Sequence, residues 1–399
     1  MNIFETVYCR VFQFGFRVAL PVLPYREPKI LESMARVPEL LKQKGIRKAL
    51  LVTDDFLSRS GAIAPLTALM ESNGIGCAVY DGTRANPTVE NVEAAFELYR
   101  REGCEALIAF GGGSPMDCAK AVGARAAYPN KPLSRMKGLL RVLRRIPTLI
   151  AIPTTAGTGS ETTLAAVITD DKKKHKYAMY DFTLIPHYAV LDPKVTYTLP
   201  RHLTSTTGMD ALTHAVEAYI GGTTTKETRA LALEATRLIF ANIETAYHEP
   251  ENETARRNML LAAYKAGVAF SKSYVGYVHT VAHSLGGQYN IPHGLANSVL
   301  LPYVLEEYGA AAEKKLHRLA VAAGVAAEAE SDAEAAGKFI RAVRDMNRRM
   351  EIPEKLEGIR EEDIPHMAKN AAKEGNPLYP VPKLMNAGEL EKFYHLVRK

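Results

Sequence analysis

From about residue 46 onward, short and nearly continuous apolar runs alternate with stretches in which apolar residues recur every three or four positions. The runs are Lys48-Ala-Leu-Leu-Val-Thr53, Gly76-Cys-Ala-Val-Tyr80, Ala106-Leu-Ile-Ala-Phe110 and Pro147-Thr-Leu-Ile-Ala-Ile152. Their length and β-branched content predict strands, whereas Val89, Val92, Ala95 and Leu98 mark one face of a helix between Thr88 and Glu102. Such alternation builds a parallel sheet with helices on its faces. Tyr188-Ala-Val-Leu191 reads as its last strand, and beyond about residue 200 only helical periodicity remains, as at Leu231, Ala235, Leu238 and Ile239. The pattern predicts an α/β domain over residues 1–200, with residues 1–30 as an N-terminal extension, followed by an all-α domain over 201–399.

Composition narrows this only slightly. A chain of 399 residues exceeds what one core usually holds, and 47% hydrophobic with 24% charged residues describes an ordinary globular protein. The net charge of +6 is spread along the chain, there is no Trp, and no basic stripe is interleaved with stacking aromatics, which argues against nucleic acid as a partner. Cys9, Cys77, Cys104 and Cys118 form no CxxC pair and read as reduced thiols. Phe12 to Pro24 is apolar but interrupted by Arg17, Pro21 and Pro24, so it predicts neither a signal peptide nor a spanning helix. The expected address is the cytoplasm without membrane attachment, although this segment could lie on a surface or touch a second subunit. The basic segment Arg135 to Arg145 and the run Lys172-Lys173-Lys174 read as solvated faces or loop tips.

Two loops at the carboxyl ends of predicted strands carry candidate chemistry. Gly111-Gly112-Gly113-Ser114-Pro115-Met116-Asp117 sits at a strand-to-helix junction, where glycines permit close backbone approach and helix N–H groups can receive a pyrophosphate. It departs from G-x-G-x-x-G, since Met116 stands at the third glycine, and taken alone it reads equally as a tight turn. Pro153-Thr154-Thr155-Ala156-Gly157-Thr158-Gly159-Ser160-Glu161 follows another strand and adds hydroxyls suited to ribose or phosphate. Together they predict a Rossmann-like dinucleotide-binding domain. Asp54, after the first strand, can accept from ribose hydroxyls and favour NAD over NADP, or it can simply cap the next helix.

The second half carries a different set. Asp210 and His214 stand four residues apart on one helix face, and His279, His283 and His293 fall within fifteen residues of each other. Gly286 and Gly287 are expected to end the helix bearing His279 and His283, and Pro292 and Gly294 to turn His293 back toward His279. An Asp plus three His suits Fe²⁺, Zn²⁺ or another divalent metal with a position left for substrate. Four histidines would crowd that position, so His283 is assigned beside the metal, as a proton relay.

These motifs, with Val52-Thr53-Asp54 and Gly375-Asn-Pro377, run in order over residues 46 to 380 and resemble the iron-containing (group III) alcohol dehydrogenases, which share the dehydroquinate synthase-like fold. The resemblance implies an NAD(P)-binding domain, a helical metal domain and substrate in the cleft between them. It implies Asp210, His214, His279 and His293 as metal ligands and His283 as the histidine facing cofactor and substrate. It also implies Gly112, Gly113, Ser114, Thr154, Thr155 and Thr158 as cofactor contacts, Asp54 as the acid of NAD-preferring members, and Lys176 as a lysine near the phosphates. The implied activity is alcohol dehydrogenase or aldehyde reductase on a small molecule, in a dimer or larger homo-oligomer. The alternative within the fold is a polyol-phosphate dehydrogenase or a dehydroquinate synthase-like lyase, which would need a basic pocket. Near the histidine motif only Lys272 could begin one.

Overall fold

The structure is a computed structural model that describes residues 1–171 and 175–399, so Lys172, Lys173 and Lys174 lie outside the described residues. Two compact units are resolved, Pro24–Thr198 and a second formed by Met1–Leu23 together with Leu199–Lys399.

Among the described residues the first unit holds nine strands: β1 (Lys29–Leu31), β2 (Lys48–Val52), β3 (Gly76–Tyr80), β4 (Ala106–Gly111), β5 (Gly138–Leu139), β6 (Thr148–Pro153), β7 (Ala165–Asp170), β8 (His175–Tyr180) and β9 (Tyr188–Val190). Six form a sheet in the order β1-β9-β6-β4-β2-β3, parallel throughout. Alternate residues of its strands feed two apolar layers. Leu50, Val52, Leu107 and Leu149 pack on one side, and Leu51, Ile108, Phe110 and Ile150 on the other, all buried. Burial on both faces is why these strands read as continuous apolar runs.

Two parts escape that pattern. β1 is only three residues long and largely exposed, too short to carry a signature, yet it closes the sheet edge against β9. β7 and β8 pair antiparallel and, with β5, form a separate three-stranded sheet.

The second unit is helical from Arg201 onward. Its helix Arg201–Ile220 is buried without interruption from Gly208 to Ile220, so it is enclosed on every side by other helices and carries the polar residues Asp210, His214 and Glu217 into the interior. A Cβ on Gly208 would come within 2.7 Å of Ile243 Cδ1, which shows how closely helix Lys226–His248 approaches.

The N-terminal segment corrects the expected division. Ile3–Ala19 is a helix that belongs to the helical unit, not to the α/β domain. The reason is polar. Arg10 donates to the carbonyls of Val381 (2.8 Å) and Pro382 (2.9 Å), and Gln13 Nε2 donates to those of Tyr379 (2.8 Å) and Pro377 (3.1 Å).

Candidate metal centre and cofactor loops

Asp210 and His214 project from one face of helix Arg201–Ile220, His279 from helix Tyr277–Tyr289, and His293 is the first residue of helix His293–Tyr308. One ligand atom from each of these four residues lies within 4.8 Å of every other. Asp210 Oδ1 is 3.9 Å from His279 Nε2 and 3.5 Å from His293 Nε2. Donors bonded at ~2.1 Å to one tetrahedral ion would stand about 3.4 Å apart, so small closures suffice.

The donor chemistry fits a divalent cation. His279 Nε2 is buried with no hydrogen-bond partner among the described residues, while its Nδ1 lies 2.6 Å from Glu217 Oε2. With Nδ1 donating, the Nε2 lone pair is aimed into the cluster. Burial and the neighbouring His214, His293 and His283 hold the His279 imidazole well below its usual range, hence neutral. His214 stacks between Phe270 (4.2 Å between centroids) and His279 (4.6 Å), which fixes its ring plane.

Glu217 escaped the sequence reading. Burial pushes its carboxyl up to about 8 even against the Gly276 N–H (2.7 Å) and Val278 N–H (2.8 Å) donors that favour the carboxylate. A Cβ on Gly276 would sit 2.7 Å from Glu217 Oε1, so that glycine is required by the carboxylate's approach. The signal was present: Glu217 lies three residues past His214 and seven past Asp210, on their helix face. Asn297, four residues past His293, was likewise missed. Its Nδ2 donates to Asp210 Oδ1 at 2.6 Å and lies 3.1 Å from His293 Nε2.

His283 stands outside the four-residue cluster, half-exposed, stacked on His293 at 5.1 Å and bonded through Nδ1 to Glu374 Oε1 at 2.7 Å. Glu374 also accepts from Tyr379 Oη at 3.0 Å. One local expectation fails. Helix Tyr277–Tyr289 runs through Gly286 and Gly287 and stops at Asn290, whose φ of 55° supplies the left-handed turn. Gly294 does serve close packing, since a Cβ there would meet the Thr206 carbonyl oxygen at 2.6 Å.

In the α/β unit the two small-residue loops leave the same sheet edge side by side, because Gly111 of β4 pairs with Pro153 of β6 and Thr154 N–H donates to Gly111 O at 3.1 Å. Gly111 has φ 149°, and a Cβ there would strike Pro115 Cγ at 2.5 Å, which places Pro115 in the turn's packing. Gly112 precedes helix Gly113–Ala127 with no side-chain cap, leaving N–H groups for an anion. Cβ positions of Gly112 and Gly113 lie 3.5 Å from Thr155 Oγ1 and Thr158 Cγ2, so the glycine backbone and the threonine side chains lie against one another, and Ser114 stands in the first turn of the helix.

Asp117 faces inward. Its Oδ1 accepts from Ser160 Oγ and its Oδ2 from Val167 N–H, both at 3.1 Å, so it ties the glycine helix to the second loop. Lys120, three residues past Asp117 on the glycine helix, is fully buried and donates to Ser160 Oγ (3.0 Å), Thr163 Oγ1 (2.7 Å) and Ala165 O (2.9 Å). Burial lowers it to about 8 and raises neighbouring Glu161 to about 7. Lys176, exposed, donates to Asn86 Oδ1 at 2.7 Å. Asp54 is an N-cap, accepting from Leu57 N–H at 2.9 Å.

Comparison with known proteins covers both units. Residues 31–193 match the family described as iron-containing alcohol dehydrogenase, and residues 204–396 match the C-terminal region of the Fe-containing alcohol dehydrogenase family. A 1,3-propanediol dehydrogenase of Citrobacter freundii is 38% identical over 362 residues, covering 90% of this chain and 93% of that protein. A crystal structure of 1,3-propanediol oxidoreductase superposes with a TM-score of 0.88 at 36% identity, covering 93% of this chain and 97% of the other. A sulfoacetaldehyde reductase from Bifidobacterium kashiwanohense, solved in complex with NAD+, superposes with a TM-score of 0.82 at 28% identity, over 94% of this chain and 98% of the other.

Proposed function

The chain belongs to the iron-containing alcohol dehydrogenase family, and from that premise we propose that it interconverts a small primary alcohol and its aldehyde with NAD(H), using a divalent metal held by Asp210, His214, His279 and His293. The observation that carries this reading is the convergence of those four ligand atoms, with the buried His279 Nε2 lone pair aimed among them. A divalent iron or zinc held by these four residues would supply Lewis acidity toward an alcohol or carbonyl oxygen, and a nicotinamide dinucleotide held by the loops would supply the hydride chemistry.

The chain's own residues do the rest. Glu217 fixes the tautomer and plane of His279. Asn297 steadies Asp210 through its 2.6 Å bond. His283, bonded at Nδ1 to Glu374, is the residue we assign to carrying the substrate proton. Gly112, Gly113, Ser114, Thr154, Thr155 and Thr158 offer backbone N–H and hydroxyl groups to the dinucleotide, with Asp117 and Lys120 holding the loops. Asp54, at the end of β2, supports NAD over NADP, because a carboxylate repels a 2′-phosphate even while it caps a helix.

A phosphorylated polyol is the weaker alternative. Lys272, the residue that could have begun a phosphate pocket, pairs with Glu227 at 2.7 Å. The four unpaired cysteine thiols suit a reducing compartment such as the cytoplasm, and we expect a homo-oligomer. Among the described residues no helix is long and apolar enough to cross a membrane.

The test is an aldehyde panel assayed with NADH and NADPH on enzyme loaded separately with Fe²⁺ and Zn²⁺. Metal-dependent turnover of small aldehydes, faster with NADH, is expected. Equal turnover in metal-free enzyme contradicts the reading.

A further inference from the structure

Helix Ile3–Ala19 is mounted the wrong way round for a helix that merely packs on its own protein. Of its seventeen residues only Cys9 and Gln13 are buried, and it is held by the Arg10 and Gln13 bonds to carbonyls of residues 377–382. Its apolar residues point outward: Ile3, Phe4, Val7, Val11, Phe14 and Val18 are between 54% and 84% exposed. At 100° per residue these six fall within about 100° of arc, a continuous stripe running the length of the helix. With the flanking aromatic residues the face offers on the order of 1,000 Å², above the ~300–600 Å² of the largest patch on a typical monomer.

Three observations bear on what covers it. The area reaches the roughly 800 Å² per partner that a stable protein interface uses. Gly15 borders the stripe in mid-helix and a Cβ there would meet nothing within 4 Å, so the protomer itself has no need of a glycine that costs its helix about 0.5–1 kcal/mol. A second helix approaching closely does need one. The cations expected around a membrane-lying helix are few, since the helix carries only Arg10 and Arg17 and the first is spent on carbonyls.

We propose that Ile3–Ala19 is a homotypic docking helix, pairing antiparallel with the same helix of a second copy about a twofold axis near Val11. Val11 is central in the stripe, so a twofold there sets it against itself, Phe4 against the partner's Val18 and Val7 against the partner's Phe14, as a self-complementary interface demands. The inference rests on the homo-oligomer part of the proposed function and is independent of its chemistry.

The experiment is multi-angle light scattering of the full chain and of Val11→Glu, with Val11→Cys as a second probe. Val11→Glu sets two carboxylates face to face on an exposed surface, and is expected to halve the assembly mass while melting temperature and kcat stay at wild-type values. Val11→Cys is expected to give a covalent dimer on mild oxidation, and exposed Glu253→Cys none. A wild-type monomer overturns both this pairing and the oligomer reading. A wild-type oligomer whose mass survives Val11→Glu overturns the pairing alone. Unchanged mass together with Val11-dependent sedimentation on phosphatidylcholine/phosphatidylglycerol vesicles gives the face to a membrane instead.

Discussion

The candidate metal centre and the candidate cofactor loops are built from opposite materials. In the helical unit four side chains converge from three helices, steadied by neighbours such as buried Glu217 and Asn297 and the partly buried Phe270. In the α/β unit the presenting surface is mostly backbone, bare at Gly112 and Gly113, and the charged groups Asp117 and Lys120 face inward to hold the loops together. A metal centre needs particular atoms at particular points, so it fails when one ligand or its support is lost. A backbone cradle needs the absence of side chains, so it fails when one is added.

Substitutions on either side should therefore separate cleanly. The largest effect is expected from His279→Ala, which on the proposed reading removes a ligand and with it the Lewis acid. Turnover should fall by roughly 10³-fold or more, read as kcat after metal dialysis, with NADH affinity unchanged. Glu217→Gln should be milder. Losing the carboxylate that orients His279 is expected to weaken metal affinity by about 10–100-fold, measured by competition with a chelator, and excess metal should restore much of the activity. If Glu217→Gln binds metal as wild type does, Glu217 is only a packing residue. The smallest effect of the three is expected for Gly111→Ala, at a φ of 149° and against Pro115, at about 1–3 kcal/mol of stability. It should raise the KM for NADH and leave metal content intact, and lost metal there would dissolve the distinction between the two regions.

The contrast also explains what could be read from the chain alone. Asp210 with His214, and His279 with His293, announce themselves because helical spacing and a cluster of histidines are local signals. Glu217 shares the helix face of His214, but spacing says nothing of its meeting His279, sixty-two residues on. The sheet was legible where strands are buried on both faces, as in β2, β4 and β6, and illegible in three-residue β1, whose pairing with β9 is entirely long-range. Gly286 and Gly287 looked like a helix end, yet the helix runs on to Asn290, so local propensity yielded to tertiary context. The N-terminal helix was assigned to the wrong unit because its anchors, Arg10 and Gln13, find their carbonyls more than 360 residues away. Spacing gives Lys120 no role of its own; only its burial shows that it stitches Ser160, Thr163 and Ala165 together.

The central claim is that these four side chains hold a catalytic metal while a separate backbone cradle holds the dinucleotide. Metal content by plasma mass spectrometry and NADH binding by fluorescence, measured on the same anaerobic preparations of wild type, His279→Ala and Gly111→Ala, test it most directly. The account predicts one metal per chain in wild type and Gly111→Ala but none in His279→Ala, with NADH binding weakened only in Gly111→Ala. A full complement of metal in His279→Ala, or full turnover without it, would contradict the account.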